Sequence, residues 1–301
     1  MKGLVSFIVG VFILFLSINL RGQDFEDFME KYTDVNGQSY MQPLADAFGA
    51  NLNSGLYHNA YIQNNGFQLY LGIAVMNAVI PSRSKTFMGT TQGFFRPETR
   101  VKAPTIFGKS EVVAIQGEGQ TYYTFPGGLD ISNLPLAVPH LTVGALYGTD
   151  LTLRWMAYDL GKEVGRIQLF GWGLRHSLDQ YLPLQPVHVA AGFYNQQFSV
   201  GDAVDASAWV ANIQASYQWR FITFYGGLGY ERSTLDIAYT YEGDDSKIAF
   251  DLTGDNTIRG TLGLTLNLGP MKLHSDYTLA RQSLLTLGLG VGIGEIQKMG
   301  E

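Results

Sequence analysis

The sequence contains no cysteine. That excludes a disulfide scaffold, thiolate metal sites and lipoprotein acylation. Charge is scarce as well: Asp, Glu, Lys and Arg make up 15% of the chain, against about 25% in average soluble domains. The formal net charge of −6 argues against a nucleic-acid partner. Long apolar runs are missing after the first 22 residues. None reaches the roughly 18 residues that mark a membrane-crossing helix. The histidines at 58, 140, 176, 188 and 274 show no ligand spacing, so no metal is expected. Gly226-Gly227-Leu228-Gly229 lacks a following helix and is not a phosphate loop, and nothing else asks for a cofactor. No Pro/Ser-rich linker divides the chain, which favours one domain.

What is present is glycine (36 residues) and aromatic rings, with 17 tyrosines and 18 phenylalanines. This mix suits a membrane barrel, with aromatics at the interfaces and glycine packed inside. Residues 1–22 differ from the rest. Lys2 precedes the apolar run Leu4–Leu16, the pattern of a secretory signal peptide, with cleavage expected between Gly22 and Gln23. An exported, cysteine-free chain of alternating strands is either a periplasmic β-protein or an outer-membrane barrel.

Alternation is clearest near the C-terminus. Ile258, Leu262, Leu264, Leu266 and Leu268 fall on one parity, and Arg259, Thr261, Gly263, Thr265 and Asn267 on the other. The chain turns at Gly269-Pro270. Met271, Leu273, Tyr277 and Leu279 then oppose Lys272, His274, Asp276 and Thr278. Leu285 to Ile293 repeats the pattern against Thr286 and three glycines. A period of two means strands with one apolar face. Each run has roughly the 9–11 residues that a tilted strand needs to cross a bilayer. Similar runs start at Tyr57 and recur along the chain. The expected fold is all-β, a transmembrane antiparallel β-barrel of about 14 strands occupying residues 56–301.

Two stretches depart from this pattern. Residues 23–55 are polar and partly helical, and Tyr40–Phe48 is either a surface helix or a plug inside the barrel. Residues 81–138 hold half of the ten prolines. They form either a long irregular loop, functional or folded into the lumen, or two poorly marked strands.

Candidate lumen or ligand residues follow from parity. Lys272, His274 and Asp276 share one face, with Arg259 on the neighbouring strand and Arg154 farther off. They read as a charged interior ladder of mutually neutralising groups, or as a ligand contact. In the strand 165–178, Ile167 and Leu169 oppose Phe170, Trp172 and Leu174. Straight continuation with Ile167 and Leu169 outside turns Phe170 and Trp172 into an apolar lumen wall. The favoured alternative is a bulge near Leu169-Phe170, which flips Phe170 and Trp172 outward and Arg175 inward. His176, Ser177 and Asp179 supply the residue types of a hydrolase triad. Neighbours in a strand face opposite ways, however, so catalysis is not expected there.

The segments PGGLDISNLPLAVPHLTVGALYGTDLTLRW (126–155), GRIQLFGWGLRHSLDQYLPLQPVHVAAGFYNQ (165–196), APTIFG (103–108) and YMQPLADAFGANLNSGLYHNA (40–60) carry a resemblance. Over nearly the whole chain after residue 22, it resembles an uncharacterised family of predicted outer-membrane β-barrels. That implies fold and location, not chemistry. In size, strand count and the run Tyr277-Thr278-Leu279-Ala280, the chain is more loosely similar to long-chain fatty-acid transporter barrels. Those have 14 strands and an N-terminal hatch that plugs the lumen. Their Asn-Pro-Ala hatch motif is missing here, and so is a terminal aromatic residue.

The functional expectation is an outer-membrane channel or transport barrel for a small molecule, a hydrophobic one included. Its partners would be outer-membrane lipid and that ligand. The rival is a structural or assembly barrel in an envelope or secretion complex, and an outer-membrane hydrolase comes third.

Overall fold

The structure is a computed structural model that describes residues 34–93, 95–159, 161, 165–182, 185–240 and 247–294. The expected signal peptide, the acidic stretch up to residue 33 and the tail after Gly294 lie outside the described residues. The first element is a helix, α1 (Asp34–Leu52). No helix among the described residues is long and apolar enough to cross a membrane. The chain then runs without regular structure to β1 (Asn65–Val79). The connection that follows carries two small hairpins, β2 (Thr86–Thr90) with β3 (Arg100–Pro104) and β4 (Val113–Gln116) with β5 (Tyr122–Phe125). Next come β6 (Asn133–Leu146), β7 (Thr149–Asp159), β8 (Arg166–Ser177), β9 (Val187–Val200), β10 (Val204–Trp219) and β11 (Ile222–Thr240). The last four are β12 (Lys247–Thr253), β13 (Ile258–Leu268), β14 (Met271–Leu279) and β15 (Leu284–Ile293).

Ten of these strands close an antiparallel barrel. β1 pairs with both β6 and β15, each strand from β6 to β11 pairs with the next, and β13 bonds β11 and β14. The expected count of about 14 is therefore too high. The stretch 57–63, expected as the first strand, is not a strand. Residues 111–116 contribute only β4, outside the barrel sheet. The expected strands 221–232 and 234–241 are one continuous strand, β11. Residues 247–253 form β12, which lies beyond the ring and pairs only with the far half of β11, from Thr234 to Thr240.

The ring has two unlike ends. At the turn end, adjacent strands meet through short links such as Tyr147-Gly148, Arg220-Phe221 and Gly269-Pro270. Tyr147 and Gly148 both have positive φ, 52° and 67°, the geometry that follows the twist of a two-residue hairpin. At the loop end lies the long connection 80–132, which is neither wholly irregular nor part of the barrel. Prolines disguised the start of β6. Pro135 and Pro139 pair with Asn77 and Ile73 of β1, while pairing with β7 begins only at His140. A missing N–H costs little where one side of the strand has no ladder.

Burial alternates through the ring. Leu262, Leu264 and Leu268 are exposed on the outer face, while Arg259, Thr261 and Thr265 are buried inside. The outer face carries Leu69, Leu71, Ile73 and Val75 of β1 and Leu285, Leu287, Leu289, Val291 and Ile293 of β15, paired across one seam. Aromatic rings form a chain on this face. Trp172–Phe193, Phe193–Trp209 and Trp209–Tyr230 centroids lie 5.7, 6.1 and 5.7 Å apart.

β8 corrects the expectation about its phase. It pairs with β7 and β9 without a register shift, so there is no bulge. Ile167 and Leu169 point inward, and Phe170 (55% exposed) and Trp172 (40%) point outward. The inward pair belongs to an apolar layer with Phe198, Leu235, Phe250 and Leu252 that packs around α1. Phe48 of α1 meets Phe198 at 4.7 Å. The bulge was expected because apolar residues were assigned outside; a helix within the ring makes apolar inward residues favourable.

Candidate functional site

The barrel interior is filled by residues 34–62. α1 touches β1, β6, β10, β11 and β12, so it lies inside the ring and not against one wall. Its small residues explain the fit. Ala45, Ala47 and Ala50 are buried, and Gly49 packs directly on Ser233 of β11. An α-helix with ordinary side chains is about 10–12 Å across, and eight strands leave room only for their own side chains. Ten strands, with small residues on α1 where it meets the wall, make the space suffice. Burial continues past α1 to Ile62, beyond the boundary near residue 55 that the sequence suggested.

Contacts along this segment follow its depth. At the loop end, Asn36 Nδ2 donates to Thr90 O (2.8 Å), and the Thr90 N–H donates back to Asn36 Oδ1 (3.2 Å). Tyr40 OH donates to Gly127 O (2.9 Å), and the Ile106 N–H donates to Tyr40 O (3.1 Å). Asp46 accepts from the Asp255 N–H at 2.8 Å. Deeper, Thr265 Oγ1 donates to His58 O (2.6 Å), and the Ala60 N–H donates to Ser216 Oγ (2.9 Å). At the turn end, Gln63 Nε2 donates to Gly294 O (2.7 Å).

Three wall arginines hold the middle. Arg154 Nη1 donates to Leu52 O at 3.1 Å. Arg259 Nη1 donates to Asn53 O at 2.7 Å, and its Nη2 bonds Ser54 Oγ. Arg175 Nη1 donates to Asn59 O at 2.6 Å. Leu52 is the last residue of α1, so Arg154 and Arg259 both sit at the negative end of the helix dipole, where cations are favoured. A hydrogen bond with a charged partner contributes about 1.5–3 kcal/mol. The segment is thus attached through its backbone.

The carboxylates that neutralise this layer come from strands not suspected in the sequence. Asp150 of β7 lies directly across from Arg175 and binds it through two bonds, 3.0 and 2.5 Å. Glu231 of β11 binds Arg259 at 2.8 Å. Asp276 instead accepts from Tyr225 OH at 2.9 Å, and Lys272 donates to Asn267 at 2.9 Å. The expected ladder of mutual neutralisation is therefore a set of separate pairs. The usable signal in the sequence was opposite charge on inward parity of adjacent strands. Among the described residues, Arg154 has no carboxylate in ion-pair contact. It also reaches Gln196 Oε1 at 3.4 Å and Met76 Sδ at 3.7 Å.

Nearer the turn end, rings stack across the lumen. His58 of the segment lies 4.2 Å from Tyr70 and 5.2 Å from His274, and His140 lies 5.0 Å from Tyr70. No group of three or more His, Asp or Glu among the described residues is placed to hold a metal. The room beside Asn53, Tyr57, Arg259 and Asp276 is about 10 Å³, space for about one water molecule.

Of the residues singled out from sequence, Arg154, Arg175, Arg259, Lys272, His274 and Asp276 all face the lumen and are buried. Phe170 and Trp172 do not; they are outer-wall residues, which removes the apolar lumen wall they would have formed. His176 and Ser177 face opposite sides. His176 Nδ1 pairs with Thr149 Oγ1 at 2.8 Å, and Asp179 bonds His188 at 2.6 Å.

A family profile described as a family of unknown function (DUF6588) matches residues 1–293. No curated protein matches the sequence. Among solved structures, the chain is similar to OmpT, an outer-membrane protein of Vibrio cholerae, at 7% identity and a TM-score of 0.27, covering 76% of this chain and 98% of that one. It is also similar to the toluene transporter TbuX of Ralstonia pickettii (8%, 0.23, 76% and 89%). A third is the translocator domain of the autotransporter NalP of Neisseria meningitidis (12%, 0.26, 79% and 90%). The barrel fold itself rests on the strand pairing above.

Proposed function

The chain belongs to the DUF6588 family, and from its own geometry we propose that it is an outer-membrane barrel of transport type, closed at rest by its own residues 34–62. An apolar outer face, an aromatic chain along it and a polar interior support the membrane setting. Residues 1–22 would direct export and be removed on translocation. The protein should fractionate with the outer membrane and show heat-dependent gel mobility, because a closed ring has no free edge. Recovery in the soluble periplasm would overturn the setting.

One observation carries the transport reading. The ring closes through strand pairing in which residues 34–62 take no part, so the segment can leave without opening a seam. Its departure would expose a lumen lined by Arg154, Arg175, Arg259, Lys272, Asp150, Glu231 and Asp276. That surface suits a small polar solute. Phe170 and Trp172 face outward and lend a hydrophobic cargo no support; the apolar layer around α1 would be uncovered only with the helix gone.

The test is conductance in planar bilayers. The intact chain should be silent or nearly so. Arg154→Ala with Arg259→Ala removes two of the three arginine attachments and should produce openings. If the double variant inserts, stays heat-modifiable and never conducts, the structural-barrel reading takes over.

A further inference from the structure

The direction in which residues 34–62 pass through the ring has a consequence for the whole chain. Asn36 and Tyr40 bond residues of the connection 80–132, at the loop end. Leu52 and Asn53 meet Arg154 and Arg259 midway along β7 and the β12–β13 run. His58, Asn59 and Ala60 meet Thr265, Arg175 and Ser216, closer to the turn end. Gln63 reaches Gly294 just beyond β15. The segment descends once, without doubling back. Ten strands bring the two ends of the ring to the same side, and this single descent adds one further crossing. Asp34 and Gly294 therefore lie at opposite ends of the barrel.

We infer that the start of α1 is presented on the outer surface of the cell beside the connection 80–132, while Gly294 lies on the periplasmic side. This rests on the membrane setting proposed above, in which short turns face the periplasm and long loops face outward.

The absence of cysteine makes the test direct. Val35→Cys marks the start of α1, where Val35 is 69% exposed. Met88→Cys marks the connection at the loop end, and Arg220→Cys marks a short turn. Each position is exposed, so the fold should survive. Intact cells are treated with a membrane-impermeant maleimide. Val35→Cys and Met88→Cys should label fully, and Arg220→Cys only after the outer membrane is permeabilised. Labelling of Met88→Cys but not Val35→Cys would overturn the inference and leave the membrane setting intact. Labelling of Arg220→Cys alone would mean the reverse orientation, and the inference would fail again. If the protein is recovered in the soluble fraction, the membrane setting itself fails and takes the inference with it.

Discussion

Arg154 and Arg175 sit on neighbouring strands and are almost equally buried, yet removing them should have different effects. Arg175→Met leaves Asp150 enclosed and without its partner, a loss of about 3–5 kcal/mol. Arg154→Met leaves a neutral carbonyl and an amide short of a donor, about 1–3 kcal/mol. Denaturant unfolding of the detergent-solubilised barrel should rank Arg175→Met well below Arg154→Met; equal midpoints would contradict the pairing described. A second residue-scale prediction concerns Leu264 and Thr265. Leu264 faces outward, and a midplane arginine there costs about 2–4 kcal/mol, so Leu264→Arg should impair membrane assembly. Thr265→Arg should insert but loosen the segment, because Thr265 holds His58 O and has no room to spare. Proteolysis of α1 in the inserted variant checks this, and undiminished protection would count against it. Parity made the inward charges legible in the sequence. Their partners were not, because Asp150 and Glu231 become neighbours of arginines only once register is set.

β8 shows where pattern reading stops at the level of an element. Its alternation is regular, but both parities are apolar in part, and the sequence does not say which apolar set lies inside. The answer depends on α1, a non-strand element whose place, on the surface or inside the ring, the sequence left open. Spin labels at 170 and 172 should be strongly relaxed by lipid-soluble oxygen. Protection at both would place them in the lumen and contradict the assignment. Gly173 offers a complementary check, since Tyr194 lies across it inside the barrel. Gly173→Val should force that ring aside, an overpacking cost of about 1–3 kcal/mol, visible as a lowered unfolding midpoint. The stretch 57–63 failed for a related reason: His58, Asn59 and Ala60 are all buried and bond β13, β8 and β10 in turn, so the run lies within the lumen and not in the sheet.

For the whole molecule, the closed antiparallel barrel was legible from composition, alternation and turns, while its circumference was not. Strand number depends on which extended runs join the ring, and no single run encodes that. The occupied lumen was only half legible, as one option for Tyr40–Phe48. The central claim is that residues 34–62 close an otherwise complete pore. It is tested most directly by deleting residues 34–60 while keeping the ring, confirming closure by heat-dependent mobility, and recording single-channel current. Steady ohmic conductance in the deletion and silence in the intact chain is the predicted result. An inserted, heat-modifiable deletion variant that carries no current would contradict it.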